Sequence, residues 1–174
     1  RAVRAPLSRD RVPAYRLVVE LQGDDGAWTV VLDETETGAF EICHPGGRAS
    51  VEGPVELILA AGMSYRGQEV LDGLSRARRA QLGLDVDEED IRATEYLLVS
   101  GQAVHVLGLA VEEQRPPADR APYRTPPAID RLRHPRAGRP VVSAWPRREL
   151  LRRLRERPEL LPQAAGLTGR GSAA

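Results

Sequence analysis

The 174 residues, 41% hydrophobic and 29% charged, suit one soluble domain of ordinary size or a domain with a tail. All 25 basic residues are Arg and the formal net charge is zero; with no Lys, the chain has no P-loop lysine, Schiff-base lysine or Ser-x-x-Lys hydrolase motif. The longest apolar run, Leu57 to Met63, is far shorter than the roughly 18 to 20 residues that a bilayer-spanning helix needs.

The chain opens on Arg1 with no signal-peptide pattern, and is expected to be a fragment of something longer. From Tyr15, the residues Tyr15, Leu17, Val19 and Leu21 alternate at period two and predict a half-buried strand. Gly23-Asp24-Asp25-Gly26 follows as a turn, and Trp28 to Leu32 as the returning strand of a hairpin. Further short strands are expected over Ala39 to His44, closed by Pro45-Gly46-Gly47, and over Ala49 to Val51 and Val55 to Ala60. Between Glu69 and Leu84, Val70, Leu71, Leu74 and Ala77 take helical spacing, and Gly83 closes the predicted helix. The acidic run Asp85 to Asp90 reads as a solvated loop. Ile91 to Val99 and Val104 to Val111 then alternate again, joined at Ser100-Gly101-Gln102, and predict a second hairpin.

Charge divides the chain. Residues 1–111 carry 11 Arg against 18 acidic residues, whereas 112–174 carry 14 Arg against 7. Seven of the fourteen prolines crowd into 115–140, so 112–140 is expected to be an extended segment. It separates a β-rich core, 1–111, from a basic tail, 141–174. In the tail, Pro146 suits a first helical turn, Ser143 is a candidate cap, and Leu150, Leu151 and Leu154 form an apolar stripe among arginines. The fold class expected is mainly β, α+β: a small antiparallel barrel-like domain, with the OB plan as one candidate, carrying an inserted helix and a basic C-terminal helix.

The segment Arg92-Ala93-Thr94-Glu95-Tyr96-Leu97-Leu98-Val99-Ser100-Gly101-Gln102-Ala103-Val104-His105-Val106-Leu107-Gly108 resembles the R-x-x-E-x-x-L-x-x-G-x-x-V-x-V-x-G signature of the GIDE domain, also called the BAM (beside a membrane) domain. Ala5-Pro6-Leu7-Ser8, Tyr15-Arg16, Trp28, Phe40, Gly47-Arg48-Ala49-Ser50-Val51 and Pro140-Val141-Val142-Ser143 fall in the order of its prokaryotic members. His44 and Gln102 depart from it, standing where the family carries acidic residues. The resemblance implies a non-catalytic binding or regulatory domain of a membrane-anchored, MULAN-like RING-type E3 ubiquitin ligase-like protein, set between transmembrane helices outside this chain. Its implied partners are an anionic membrane surface and another protein.

Chemistry-bearing residues are sparse. A lone Cys43 excludes an internal disulfide and a RING. Cys43 is expected to be buried and structural, and adjacent His44 points to the other face of its strand. His105 is expected to face solvent and His134 lies in the linker, so no metal or cofactor is expected. Gly62-Met63-Ser64-Tyr65-Arg66 lacks the second Gly of a nucleophile elbow. Arg92 and Glu95 fall on opposite faces of one strand, with edge solubility and cross-strand pairing as their expected roles. The candidate contact residues are therefore Arg147, Arg148, Arg152 and Arg155, placed to meet anionic headgroups. The alternative is a nucleic-acid-binding β-barrel with an Arg-rich tail, disfavoured by the acidic β part and by aromatics at only 4%.

Overall fold

Period-two alternation becomes a four-stranded antiparallel sheet. In the computed structural model, which describes residues 2–44, 47–84, 90–107, 109–113, 129–133 and 139–156, the N-terminal residues first form a short pair, β1 (Val3–Arg4) and β2 (Arg11–Val12). β3 (Ala14–Gln22) and β4 (Trp28–Thr37) make the expected hairpin, with a register shift between Val19 and Glu20. Asp25 accepts the Ala27 amide at 2.9 Å within its turn. Beyond these come β5 (Phe40–His44), β6 (Gly47–Val51), β7 (Glu56–Ile58) and β8 (Met63–Arg66).

The predicted single helix is two. α1 (Gln68–Gly73) and α2 (Arg76–Gln81) are separated by Leu74, whose backbone is extended and whose side chain is buried, and by Ser75, whose Oγ caps α2 by accepting the Arg78 amide. Continuous periodicity hid this break because Leu74 is inward in either arrangement; capping chemistry at Ser75 decides it. Gly83, at φ +64°, follows α2 as expected.

The second hairpin is not one. β9 (Ile91–Leu98) pairs with β3 on one side and β8 on the other, giving the order β4-β3-β9-β8. The residues after it divide between β10 (His105–Leu107) and β11 (Leu109–Glu113), in two other sheets. The turn at Gly101, φ +81°, forms and is closed by Gln102, whose Oε1 accepts the Val99 amide at 3.1 Å, but it carries the chain from one sheet to another. Alternation shows that a strand has one apolar face; it does not show which neighbour completes its hydrogen bonds.

Two strands from the basic part close the remaining sheets. β12 (Ile129–Arg133) lies between β11 and β6 in the sheet β11-β12-β6-β5, and β13 (Val141–Ser143) lies between β10 and β7. Each is antiparallel to one neighbour and parallel to the other. α3 (Arg147–Glu156) ends the described chain. The class is mainly β, α+β, as expected, with antiparallel pairing dominant and two parallel pairings added. Among the described residues no helix is long and apolar enough to cross a membrane. Pro45-Gly46, the side chain of His44, most of the acidic run (85–89), His134, residues 114–128 of the linker and the tail beyond Glu156 lie outside the described residues.

The first sheet has a core on each side. Tyr15, Leu17, Val19, Ile91 and Ala93 face one way, against Ala5, Val12, Val70 and Leu74 from the N-terminal pair and the helices. Ala14 and Leu98, register partners on β3 and β9, join Val51, Val55, Leu57, Leu59 and Val142 in the second cluster. Gly73 marks the tightest approach in the first, since a Cβ there would stand 2.1 Å from Leu7 Cδ2 and 3.3 Å from Leu7 Cα. Gly73→Ala should therefore destabilise the protein by about 1 to 3 kcal/mol through overpacking. Adding Leu7→Ala should recover part of that loss, so a double-mutant cycle in urea is expected to show favourable coupling.

Candidate functional site

α3 is built from both predicted ingredients, apolar and basic, but divides them differently. Pro146 stands ahead of it, and its carbonyl accepts the Glu149 and Leu150 amides. Ser143 does not cap the helix: it is a buried residue of β13 whose Oγ accepts the Trp145 amide at 3.1 Å. Leu150 and Leu154, four apart and so on one face, are 3% and 1% exposed, whereas Leu151 is 43% exposed. The expected three-leucine stripe is thus two anchoring leucines and one outward one, because a step of one residue turns the helix by about 100°.

The four candidate arginines are all exposed. Arg152 is paired within its own helix, donating to Glu149 and Glu156. Hydrogen bonding to Glu149 raises the Arg152 guanidinium and, reciprocally, lowers the Glu149 carboxyl. Arg153 also reaches Glu149, at 3.2 Å, and lies 4.4 Å over the Trp145 ring. Among the described residues Arg147, Arg148 and Arg155 have no carboxylate partner. They surround Leu151 at helical spacings of three and four. The structure therefore joins three of the four predicted residues into one outward basic face and ties the fourth, also exposed, into ion pairs along the surface of its own helix.

The signature-like residues have structural duties. Arg92 donates to its register partner Glu20 through Nε and Nη2 at 2.8 and 2.9 Å and stacks 4.2 Å over Trp28, which supports the expected cross-strand pairing. That hydrogen bond holds the Glu20 carboxyl below its ordinary value. Edge solubility does not apply, because β9 is an interior strand. Glu95 is fully buried and accepts the amides of Leu7 and Ser8 at 2.8 and 2.9 Å. Its position on β9 has the parity of the inward residues Ile91 and Ala93.

Other expected candidates are scattered. Cys43 is exposed rather than buried: Phe40 and Ile42 are the β5 residues packed against the second core, which sends Glu41 and Cys43 outward. His105 is exposed, as expected. Among the described residues no three His, Cys, Asp or Glu side chains come together to hold a metal ion.

The sequence reading missed a concavity of about 320 Å³ between the N-terminal pair and the α1–α2 junction, with Arg4, Arg9, Tyr15, Glu36, Asp72 and Arg78 among its lining residues. Tyr15 donates its hydroxyl to Glu36 at 2.7 Å, and Arg78 is paired with Glu34. Burial above all, and then the Glu36 hydrogen bond, push the Tyr15 phenol up to about 12. These residues come from four separate stretches, so no local spacing announces them. No protein family, curated protein or solved structure matches the chain.

Two measurements follow from these contacts. Glu95→Ala leaves two half-buried amides without their acceptor and should cost about 1 to 3 kcal/mol in urea unfolding; Glu95→Gln, which replaces one acceptor with a donor, should cost about as much. For Tyr15, the neutral phenol is favoured in the folded state, so its contribution is complete below the unfolded value of about 10 and fades as pH rises towards 12. Tyr15→Phe should accordingly show a smaller fall in melting temperature than the parent protein between pH 9 and pH 11.5.

Proposed function

We propose that this chain is a non-catalytic binding domain that rests on an anionic membrane surface through α3. The observation that carries this reading is the outward face of Arg147, Arg148, Leu151 and Arg155, held to the protein by buried Leu150 and Leu154. Near an anionic leaflet each such cation contributes about 1 kcal/mol, and one exposed leucine adds a shallow apolar contact. Leu150 and Leu154, being buried, take no part in insertion. The attraction acts within a Debye length of about 8 Å at physiological ionic strength.

We read the domain as one of the GIDE/BAM type that the Arg92 to Gly108 segment resembles: the extramembrane part of a membrane-anchored, E3 ubiquitin ligase-like protein, which also engages a protein partner. The RING chemistry of that family needs a cysteine set, and the single Cys43 cannot form one. Nucleic-acid binding is the weaker reading, since the Trp28 and Trp145 rings that would stack on bases are already covered by Arg92 and Arg153.

Sedimentation with phosphatidylglycerol vesicles should show binding at low salt that falls steeply as salt is added. Replacing Arg147, Arg148 and Arg155 together with Gln should abolish it without moving the melting temperature, while Arg152→Gln should change it much less. Failure of the parent protein to sediment with these vesicles at low salt would reduce α3 to a packing element.

A further inference from the structure

The concavity beside the N-terminal pair holds charges that do not neutralise one another. Arg4 has no carboxylate partner among the described residues. Arg9 uses one guanidinium donor, Nη2, on the backbone carbonyl of Asp72 at 3.0 Å. In the same concavity, Glu36 accepts from the Tyr15 hydroxyl, and the Asp72 carboxylate accepts from the Gln68 side-chain amide at 2.5 Å. Both carboxylates are thus held by neutral donors, although three arginines line the same concavity: Arg78 is paired with Glu34, which leaves Arg4 and Arg9 without a carboxylate among the described residues.

Arg9 is also held in a backbone conformation that a side chain resists, φ +66°. Its turn is fixed from several directions: Glu95 takes the two preceding amides, Ser8 Oγ accepts the Asp10 amide at 3.3 Å, and Ala5 donates to the Asp10 carbonyl at 2.9 Å. A strained residue persists where its surroundings over-determine it, and here the outcome is a guanidinium carried to the wall of a cavity. At about 320 Å³ the space matches the smallest ligand sites, and Pro6 and Leu74 give it an apolar side.

We propose that this concavity binds a small zwitterion, an α-amino acid with an aliphatic side chain, its carboxylate on Arg4 and Arg9 and its ammonium group towards Glu36 and Asp72. A simple anion such as phosphate would gain the arginines but meet two carboxylates, and a simple amine would meet the reverse. Only an occupant with both signs satisfies both sets, with its side chain against Pro6 and Leu74.

The test is titration calorimetry on the full chain with L-leucine, with 4-methylpentanoate, which lacks the ammonium group, with 3-methylbutylamine, which lacks the carboxylate, and with inorganic phosphate. L-Leucine should bind at least about tenfold more tightly than each of the other three. Arg4→Gln, at an exposed side chain, and Arg9→Gly, which suits the positive φ, should each weaken leucine binding by about tenfold while the melting temperature stays within a few degrees of the parent. The proposal is overturned if leucine fails to bind, if either truncated analogue or phosphate binds as well as leucine, or if both variants bind leucine like the parent protein.

Discussion

A carboxylate with no exposure to water must have its charge met by fixed dipoles or by a counter-ion, and Glu95 has the amides of Leu7 and Ser8. This contact joins residues 87 and 88 positions apart in sequence, fastening the N-terminal turn to an interior strand of the main sheet. Much of the surrounding geometry depends on it. With the turn in place, Leu7 lies against Gly73 at the end of α1, Arg9 reaches the Asp72 carbonyl, and the β1–β2 pair covers the first core. The same fastening sets one wall of the arginine-lined concavity.

Charge pairing follows the sheets. Arg16 with Asp33 and Arg92 with Glu20 span neighbouring strands, and Arg78 reaches from α2 to Glu34 on β4. These pairs are partly exposed, so they organise the surface of the sheet more than they stabilise it. They also distinguish spent arginines from available ones. On α3 the same distinction separates Arg152 and Arg153, bound to Glu149, from Arg147, Arg148 and Arg155. The membrane-facing reading rests on that difference, not on the total number of basic residues.

The opposite charges of the two parts of the chain do not correspond to two separate bodies. β12 and β13, from the basic part, are interior strands of sheets whose other members come from the first 113 residues. Val142 belongs to the second core together with Val51, Leu57 and Leu98. α3 begins a few residues after β13 and is therefore held close to the body of the domain, with its basic face directed outward by the burial of Leu150 and Leu154.

Features governed by neighbours in sequence were legible before any coordinates: the β3–β4 hairpin, its Gly/Asp turn, the positions of β5, β6 and β7, the end of α2 at Gly83 and the basic C-terminal helix. Turn chemistry, alternation and helical spacing act over a few residues and leave a local record. Cys43 is expected inside on its residue type, although its alternation with Phe40 and Ile42 carries the outward position it takes, and Glu95 is expected at a strand edge, although it shares the inward parity of Ile91 and Ala93. Strand partners were not legible, because an alternating strand fits many neighbours equally well, and so β9 and β10 read as a hairpin although they belong to different sheets. The division of the α3 arginines, the partners of Glu95 and the gathering of Arg4, Arg9, Glu36 and Asp72 were decided by tertiary packing alone. Each depends on side chains brought together from distant segments, a distance in space of which residue spacing keeps no trace.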